Sequence, residues 1–515
     1  MGSDGDVAMS ARNPSAQTLA ELPAHTRVLV VGAGFGGLAA AGALVRDGRS
    51  LDVVIIERAG EVGGTWRDNT YPGCACDVPT SLYSLSFAPS PEWSHTFAAQ
   101  SELFEYLKDV ATRSGIRART LFDCELLGAR WDERSTLWRV TTNRGEITAQ
   151  SLVAASGALS TPNLPDIDGL DTFGGTVFHS AAWNHDHDLT GERIAVVGTG
   201  ASAIQFVPQI VDKAQRVTVF QRTASWVIPR RNRTLGKFEK SLYRRIPLTQ
   251  KVVRGLVYGM REAYVVVFAY LTWLLPAIAL VSKAQLHTQV RDPRLRRKLK
   301  PAFTIGCKRM LLSNEWLPTL ARDDVDLVAS GLQRVTRTGV VGSDGVERDV
   351  DTIIFGTGFT PTEPPIAKLL RGRDGRSLAE RWDGSPSAHR GITVSGFPNL
   401  FLMYGPNTNL GHSSIVYMLE SQASYVRKAL GYMESRGVPA LEVDAAVQER
   451  YADRVGGALA TTVWNSGGCS SWYMDKRGRN SVMWPTFTWR YRAQVRSFDA
   501  ENYRAIEPRP AEEVA

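Results

Sequence analysis

The chain has 515 residues, which at roughly 150 residues per domain allows about three domains and sizeable buried cores. With 43% hydrophobic and 22% charged residues, its composition is that of an ordinary globular protein and excludes global disorder and fibrous repeats. Sixty Lys and Arg against 52 Asp and Glu leave +8, read as a mild excess spread along the chain. Such an excess gives little reason to expect nucleic acid and suits an anionic ligand or a membrane surface. Residues 1–24 are small and polar, lack the apolar stretch of a secretory signal and read as a disordered tail; residues 508–515 read as a frayed end. The cysteines (Cys74, Cys76, Cys124, Cys307, Cys469) are five, an odd and sparse set. They argue against a disulfide framework and for a reducing, cytoplasmic setting.

The first strong motif follows the tail. The apolar run Val28-Leu29-Val30-Val31 leads into Gly32-Ala33-Gly34-Phe35-Gly36-Gly37 and then a small, apolar stretch, which predicts strand, tight turn and helix. Gly32 permits the turn, Gly34 lets the backbone approach a pyrophosphate, and Gly37 lets helix and strand pack closely. A second apolar strand ends at Glu57, 20 residues past Gly37, where a carboxylate accepts hydrogen bonds from adenosine ribose hydroxyls.

The pattern returns at Ile194-Ala195-Val196-Val197, followed by Gly198-Thr199-Gly200-Ala201-Ser202-Ala203. Here the next strand, residues 216–220, is followed by Gln221-Arg222 instead of an acid. Arg222 lies 19 residues past Ala203, where the ribose 2′ substituent sits, and a cation there favours the 2′-phosphate of NADPH. The alternative is a surface Arg at a strand end. An acidic and a basic dinucleotide turn in one chain point to FAD plus NADPH. A third strand and turn, Asp351-Thr352-Ile353-Ile354-Phe355 into Gly356-Thr357-Gly358-Phe359, returns the chain to the first unit. These features reach a flavoprotein reductase or monooxygenase.

Between the two turns stands Phe173-Gly174-Gly175-Thr176-Val177-Phe178-His179-Ser180-Ala181-Ala182-Trp183, with Asn184 after it. Earlier come Gly64-Thr65-Trp66, then Tyr71-Pro72-Gly73, then Asp77. On these two motifs the chain, over residues 25–490, resembles the type I Baeyer–Villiger monooxygenases within the class B flavoprotein monooxygenases. The first matches the family fingerprint FxGxxxHxxxW at Phe173, Gly175, His179 and Trp183; Asn184 departs from the family's usual Pro or Asp. Trp183 separates it from the related S- and N-oxygenating flavin-containing monooxygenases, which usually carry Tyr or Phe there. The resemblance implies that NADPH reduces FAD, that a C4a-peroxyflavin formed with O2 attacks a ketone, and that the adduct rearranges to an ester or lactone. It implies that Arg309, in Gly306-Cys307-Lys308-Arg309-Met310, holds the peroxide anionic with Asp77 as its partner. It further implies that Lys308 joins Arg222 at the 2′-phosphate and that Thr65, Trp66 and Tyr83 lie near the flavin. His179 is implied to couple domain motion to NADPH. Cys469-Ser470-Ser471-Trp472-Tyr473 looks like a subgroup feature of the family.

The expected fold is α/β, with two Rossmann-like dinucleotide-binding domains and a helical insertion. The FAD domain is expected over 25–160 and 361–515, a linker with the fingerprint over 161–189, and the NADP domain over 190–355 with the insertion at about 235–300. His185 and His187 have no third ligand and read as solvated, so no metal is expected; Cys74 and Cys76 read as packing. The turn from Gly405 to Ser414 leads into a helix whose N-terminus can face the flavin pyrimidine. Residues 264–281 are 18 in a row without a charge, flanked by the basic segment 291–300. Three readings compete for them: a buried helical insertion, an interfacial helix giving peripheral membrane contact through 264–300, and a true span. The buried core is the preferred one. The motifs do not select among ketone classes and do not reveal oligomeric state.

Overall fold

The computed structural model describes residues 18–46 and 52–508. Its larger sheet has eight strands, and its centre is parallel: Thr120–Leu121, Val53–Ile56, His25–Val31 and Gly145–Ala154 lie side by side, with Leu400–Leu402 also paired to Gly145–Ala154. In the register Val28 stands beside Val53 on one side and Ser151 on the other. These strands are buried on both faces, which is why they are continuous apolar runs and not alternating ones. The antiparallel hairpin Leu126–Asp132 and Leu137–Thr142 extends the sheet, and Leu370–Arg371 closes its edge. Strands from residues 25–154 and 370–402 therefore share one sheet. The apolar helix Phe35–Val45 is packed between this sheet and the long helix Ile415–Arg436.

The second sheet is wholly parallel, in the order Val325–Val328, Arg216–Phe220, Arg193–Val197, Thr352–Phe355, Thr176–His179. The last strand corrects the reading of 161–189 as a linker. Four residues of the fingerprint, Thr176–His179, are the edge strand of this sheet, with Phe178 and His179 opposite Ile354 and Phe355. Gly175 precedes it because a Cβ there would stand 2.2 Å from the Asp351 carbonyl.

Two more expectations are corrected at the ends of the first unit and among the cysteines. Residues 18–24, placed in the disordered tail, dock on the sheet: Leu19 N–H donates to Thr120 O, and Leu19 and Leu22 pack on the core beneath it. The rest of that tail, residues 1–17, lies outside the described residues, as do 509–515. Cys307 and Cys469, 162 residues apart, are joined in a disulfide, while Cys74, Cys76 and Cys124 are free and buried. Only folding brings the C-terminal segment over the Gly306 to Met310 loop, so the pair is invisible in spacing.

Between Arg216–Phe220 and Val325–Val328 the chain leaves the sheet for the helices Lys237–Arg245, Pro247–Val265, Leu275–Gln289 and Pro293–Lys298. The apolar stretch 264–281 is not one helix. A wider turn, Val266–Tyr270, and a short 3-10 turn, Thr272–Leu274, break it, and the flanking helical segments meet at 103°. Among the described residues no single helix is long and apolar enough to cross a membrane. The preferred reading of a buried core holds for one side of the stretch, where Val265, Phe268, Leu275 and Ala279 are buried, and not for the other, where Tyr270, Leu271, Trp273, Leu280 and Val281 are exposed.

Candidate active site

Each glycine turn lies under the end of a neighbouring strand. A Cβ on Gly37 would fall 1.9 Å from Gly32 O, so helix and turn touch backbone to backbone. Gly34 has ordinary space, its nearest neighbour being Gly64 Cα at 3.6 Å from a built Cβ, and no side chain caps the helix that follows. The first-turn N–H groups are thus left for an anion, which fits a dinucleotide pyrophosphate. Glu57 is 5% exposed. Its Oε2 accepts from Ala33 N–H at 2.8 Å, and its Oε1 from Ala59 N–H at 3.1 Å and Arg67 Nη1 at 2.9 Å. One carboxylate thereby fastens the glycine turn to the strand end, with Oε2 keeping acceptor capacity for a ribose hydroxyl.

In the second unit the helix Ala203–Ile210 also starts without a side-chain cap. Arg222 is exposed and Lys308 half-buried, and neither has a hydrogen-bond or ion-pair partner among the described residues. They are close enough that burial and Arg222 together hold the Lys308 ammonium below the ordinary lysine range. Two adjacent cations lacking an anion are the donor set that a phosphate fits.

The units meet at Arg309. Its Nε and Nη2 each donate to Asp77 at 2.6 Å, a bidentate pair across 232 residues of sequence. The Asp77 carboxylate raises the Arg309 pKa above its ordinary value despite burial, yet 38% of the side chain remains exposed. Around it stand Tyr83, Tyr404 and Tyr473, all held neutral by burial, the Tyr473 hydroxyl being pushed up to about 12. Tyr473 also faces the backbone N–H of Arg309. Tyr83 accepts from Trp66 Nε1 at 3.2 Å and packs edge-on against Phe35, which ties the Gly64-Thr65-Trp66 motif to the first glycine turn. Arg261, from the insertion, lies within the fields of Asp77 and Arg309, and burial lowers its pKa.

The remaining motifs join the units. Tyr71 donates to Gln205 Oε1 at 3.0 Å and Gln205 Nε2 donates to Ala75 O at 3.0 Å, so the Tyr-Pro-Gly segment seats the Ala203–Ile210 helix. Gly73, at φ +76, leaves no room for a Cβ, which would stand 2.8 Å from Gln205 O. Trp183 packs on Phe178 and Phe206 with centroids 5.1 and 5.2 Å away, and Phe173 lies on the small core under the second sheet. His179 accepts from Ala181 N–H, burial lowers its pKa, and its Nε2 is buried without a hydrogen-bond partner. His187 is not solvated as expected: it meets Glu192 and Thr352 at 3.1 and 2.9 Å, while His185 contacts Thr70. Sequence reasoning missed Arg261, Tyr404 and Tyr473. The Trp472-Tyr473 pair, quoted as a subgroup feature, was the only pointer to the last.

Two units, each with a parallel sheet core and an uncapped glycine turn, meeting at a carboxylate-paired arginine, define a two-dinucleotide flavoprotein oxidoreductase. The family of pyridine nucleotide-disulphide oxidoreductases matches residues 29–236. A Baeyer–Villiger monooxygenase of Streptomyces coelicolor is 48% identical over 489 residues, covering 95% of this chain and 94% of that protein. Another, of Pseudomonas aeruginosa, is 46% identical over 481 residues, covering 93% and 91%. The crystal structure of OTEMO in complex with FAD and NADP superposes with a TM-score of 0.83 at 28% identity, over 93% of this chain and 99% of that one. The chain belongs to the Baeyer–Villiger monooxygenases.

Proposed function

We propose that the cleft converts a ketone to an ester or lactone with NADPH and O2, and that Arg309, held by Asp77, is its catalytic cation. Residues 25–160 and 361–515 are assigned to FAD and 190–355 to NADPH. Gly32, Gly34 and Gly37 bring the backbone to the FAD pyrophosphate, Glu57 takes the ribose, and Thr65, Trp66 and Tyr83 border the flavin. Gly198, Thr199, Gly200 and Ala203 serve NADPH, with Arg222 and Lys308 at its 2′-phosphate. When bound, the two cofactors supply the reducing power that activates O2.

The chain's own residues supply charge and dryness. A peroxide oxygen attacks a carbonyl far more readily as the anion, and the carbonyl oxygen gains negative charge as the bond forms. A guanidinium suits both needs, since it stays protonated at any working pH and aims several donors at once. Asp77 fixes its plane and offsets the cost of burying it. Tyr404 and Tyr473, neutral and buried, exclude water without adding charge. The observation that carries this reading is the bidentate Arg309–Asp77 pair, with 38% of the Arg309 side chain still exposed.

Replacing Arg309 tests it. Arg309→Met is expected to keep NADPH-driven bleaching of the flavin while ester formation falls about 100- to 1,000-fold, the usual cost of one preorganised donor. The NADPH consumed then appears as hydrogen peroxide. Ester formation at the unsubstituted rate would remove Arg309 from the mechanism.

A further inference from the structure

The helix Pro247–Val265 is built inside out. Its inward face carries polar groups among Val257, Tyr258 and Val265: Gln250 Nε2 donates to Ser90 O, Arg254 Nη1 to Ser81 O and Ser84 O, and Glu262 accepts from both the N–H and the hydroxyl of Thr488. Its outward face is apolar. Leu248, Val252, Leu256 and Met260 recur one turn apart, all exposed, Leu256 to 69%. Gly255, Gly259 and Ala263 fill the same exposed stripe. A helix on an ordinary water-facing surface shows the opposite polarity. The stripe runs on through Tyr270, Trp273 at 72% exposure, Leu280 and Val281, so the apolar surface belongs to the insertion as a whole and not to one stray side chain.

Positive charge is concentrated in the same segment of the chain. Residues 235–300 hold fourteen Lys and Arg against three Asp and Glu, a net +11 in a chain whose total is +8. Everything outside them therefore sums to −3, which corrects the reading of a positive excess spread along the chain. Arg245, Lys251 and Lys283, beside the apolar stripe in the chain, are exposed and have no hydrogen-bond or ion-pair partner among the described residues.

We propose that this face docks on the surface of an anionic phospholipid bilayer, lying in the interface without crossing it. Apolar side chains at interfacial depth, Tyr and Trp among them, with unpaired cations alongside, are what such a surface takes. The 103° bend prevents the segment from acting as a straight span. A second copy is a poor occupant, since it would bring the unpaired cations Arg245, Lys251 and Lys283 against their like. The inference stands apart from the catalytic reading, though the two meet in space. Phe268, on the broken stretch, packs where a Cβ on Gly306 would lie only 3.1 Å away, three residues before Arg309. Docking thereby sets lipid-dissolved ketones beside the segment that supports the catalytic loop.

The test is flotation of the FAD-loaded enzyme with vesicles of phosphatidylcholine alone and of phosphatidylcholine mixed with phosphatidylglycerol. Co-flotation is expected only with the anionic vesicles and should fade as salt is raised. Leu256→Gln with Trp273→Gln is expected to abolish it while FAD content and turnover of a small water-soluble ketone hold, which separates docking from misfolding. The triple change Arg245→Gln, Lys251→Gln, Lys283→Gln should lower partitioning about a hundredfold, near fivefold for each cation. Absence of flotation with anionic vesicles overturns the proposal and leaves an acidic protein as the face's occupant. Equal flotation with neutral vesicles overturns it too, and so does concentration-dependent dimerisation that Leu256→Gln abolishes.

Discussion

The two glycine turns have nearly the same backbone and opposite endings. Gly32 and Gly198 sit at φ +103 and +110, and a Cβ on either would strike a carbonyl oxygen of a neighbouring strand's exit, Ala155 O at 2.6 Å or Gly356 O at 2.5 Å. Past the second strand they diverge. Glu57 is buried and already fastened to its own turn and to Arg67, whereas Arg222 is exposed and Lys308 beside it lacks an anionic partner. On the proposed assignment the shared backbone reads what the two cofactors have in common, a pyrophosphate, and the strand-end side chain decides which nucleotide each turn takes. The acid is set in place before the ligand arrives, while the cations are completed by it.

The largest expected effects break the pair apart. Gly34→Ala and Gly200→Ala both have space in the fold, the nearest atoms to their built Cβ being Gly64 Cα at 3.6 Å and Gly356 O at 3.8 Å. A methyl there meets only a cofactor. Gly34→Ala should weaken FAD retention about a hundredfold and spare NADPH affinity, and Gly200→Ala the reverse, the upper end of what an added methyl costs in a close-packed site. Equilibrium binding of each cofactor to each variant checks this, and equal losses in both variants would show that the turns are not independent.

A smaller effect sharpens the contrast at the strand ends. Arg222→Ala should raise KM for NADPH about tenfold, the lower end for one charged hydrogen bond, and leave NADH nearly unchanged. Equal effects on the two coenzymes would sink the assignment. The smallest effect is on pH. Lys308 binds phosphate only while protonated, and burial with Arg222 lowers its pKa. NADPH binding should thus weaken as pH rises, by up to about fivefold, starting below the pH at which an ordinary lysine loses its proton. Arg222→Ala removes one cause of the lowering, so it should move that transition to higher pH. A pH profile of KM for NADPH that matches that for NADH would refute the role of Lys308.

Much of the molecule was legible in the residues. Glycine turns carry a local signal because their contacts lie within a few residues or in the next strand, and Glu57 and Arg222 follow at nearly the same spacing. The fingerprint was legible as a motif but concealed its structure. Thr176–His179 is too short to announce a strand, and it becomes one only against Thr352–Phe355. The insertion misled for another reason: hydropathy counts apolar residues without saying which face they occupy. A run rich in Val and Leu suggested a core, yet the preceding helix buries Gln250 and Glu262 beside Val265 and leaves Leu248, Val252, Leu256 and Met260 exposed.

By itself, then, the sequence determined two dinucleotide turns, their opposite charge preferences and the residue types of a Baeyer–Villiger site, since each rests on short-range backbone geometry or a fixed motif. Tertiary structure decided what lies far apart in the chain. It set Asp77 against Arg309 across 232 residues, joined Cys307 to Cys469, placed Tyr473 beside the catalytic loop and turned the insertion's apolar face outward. Those pairings depend on how two separately wound sheets and their insertion pack together, a geometry set by buried surfaces from the whole chain and written in no single stretch of it.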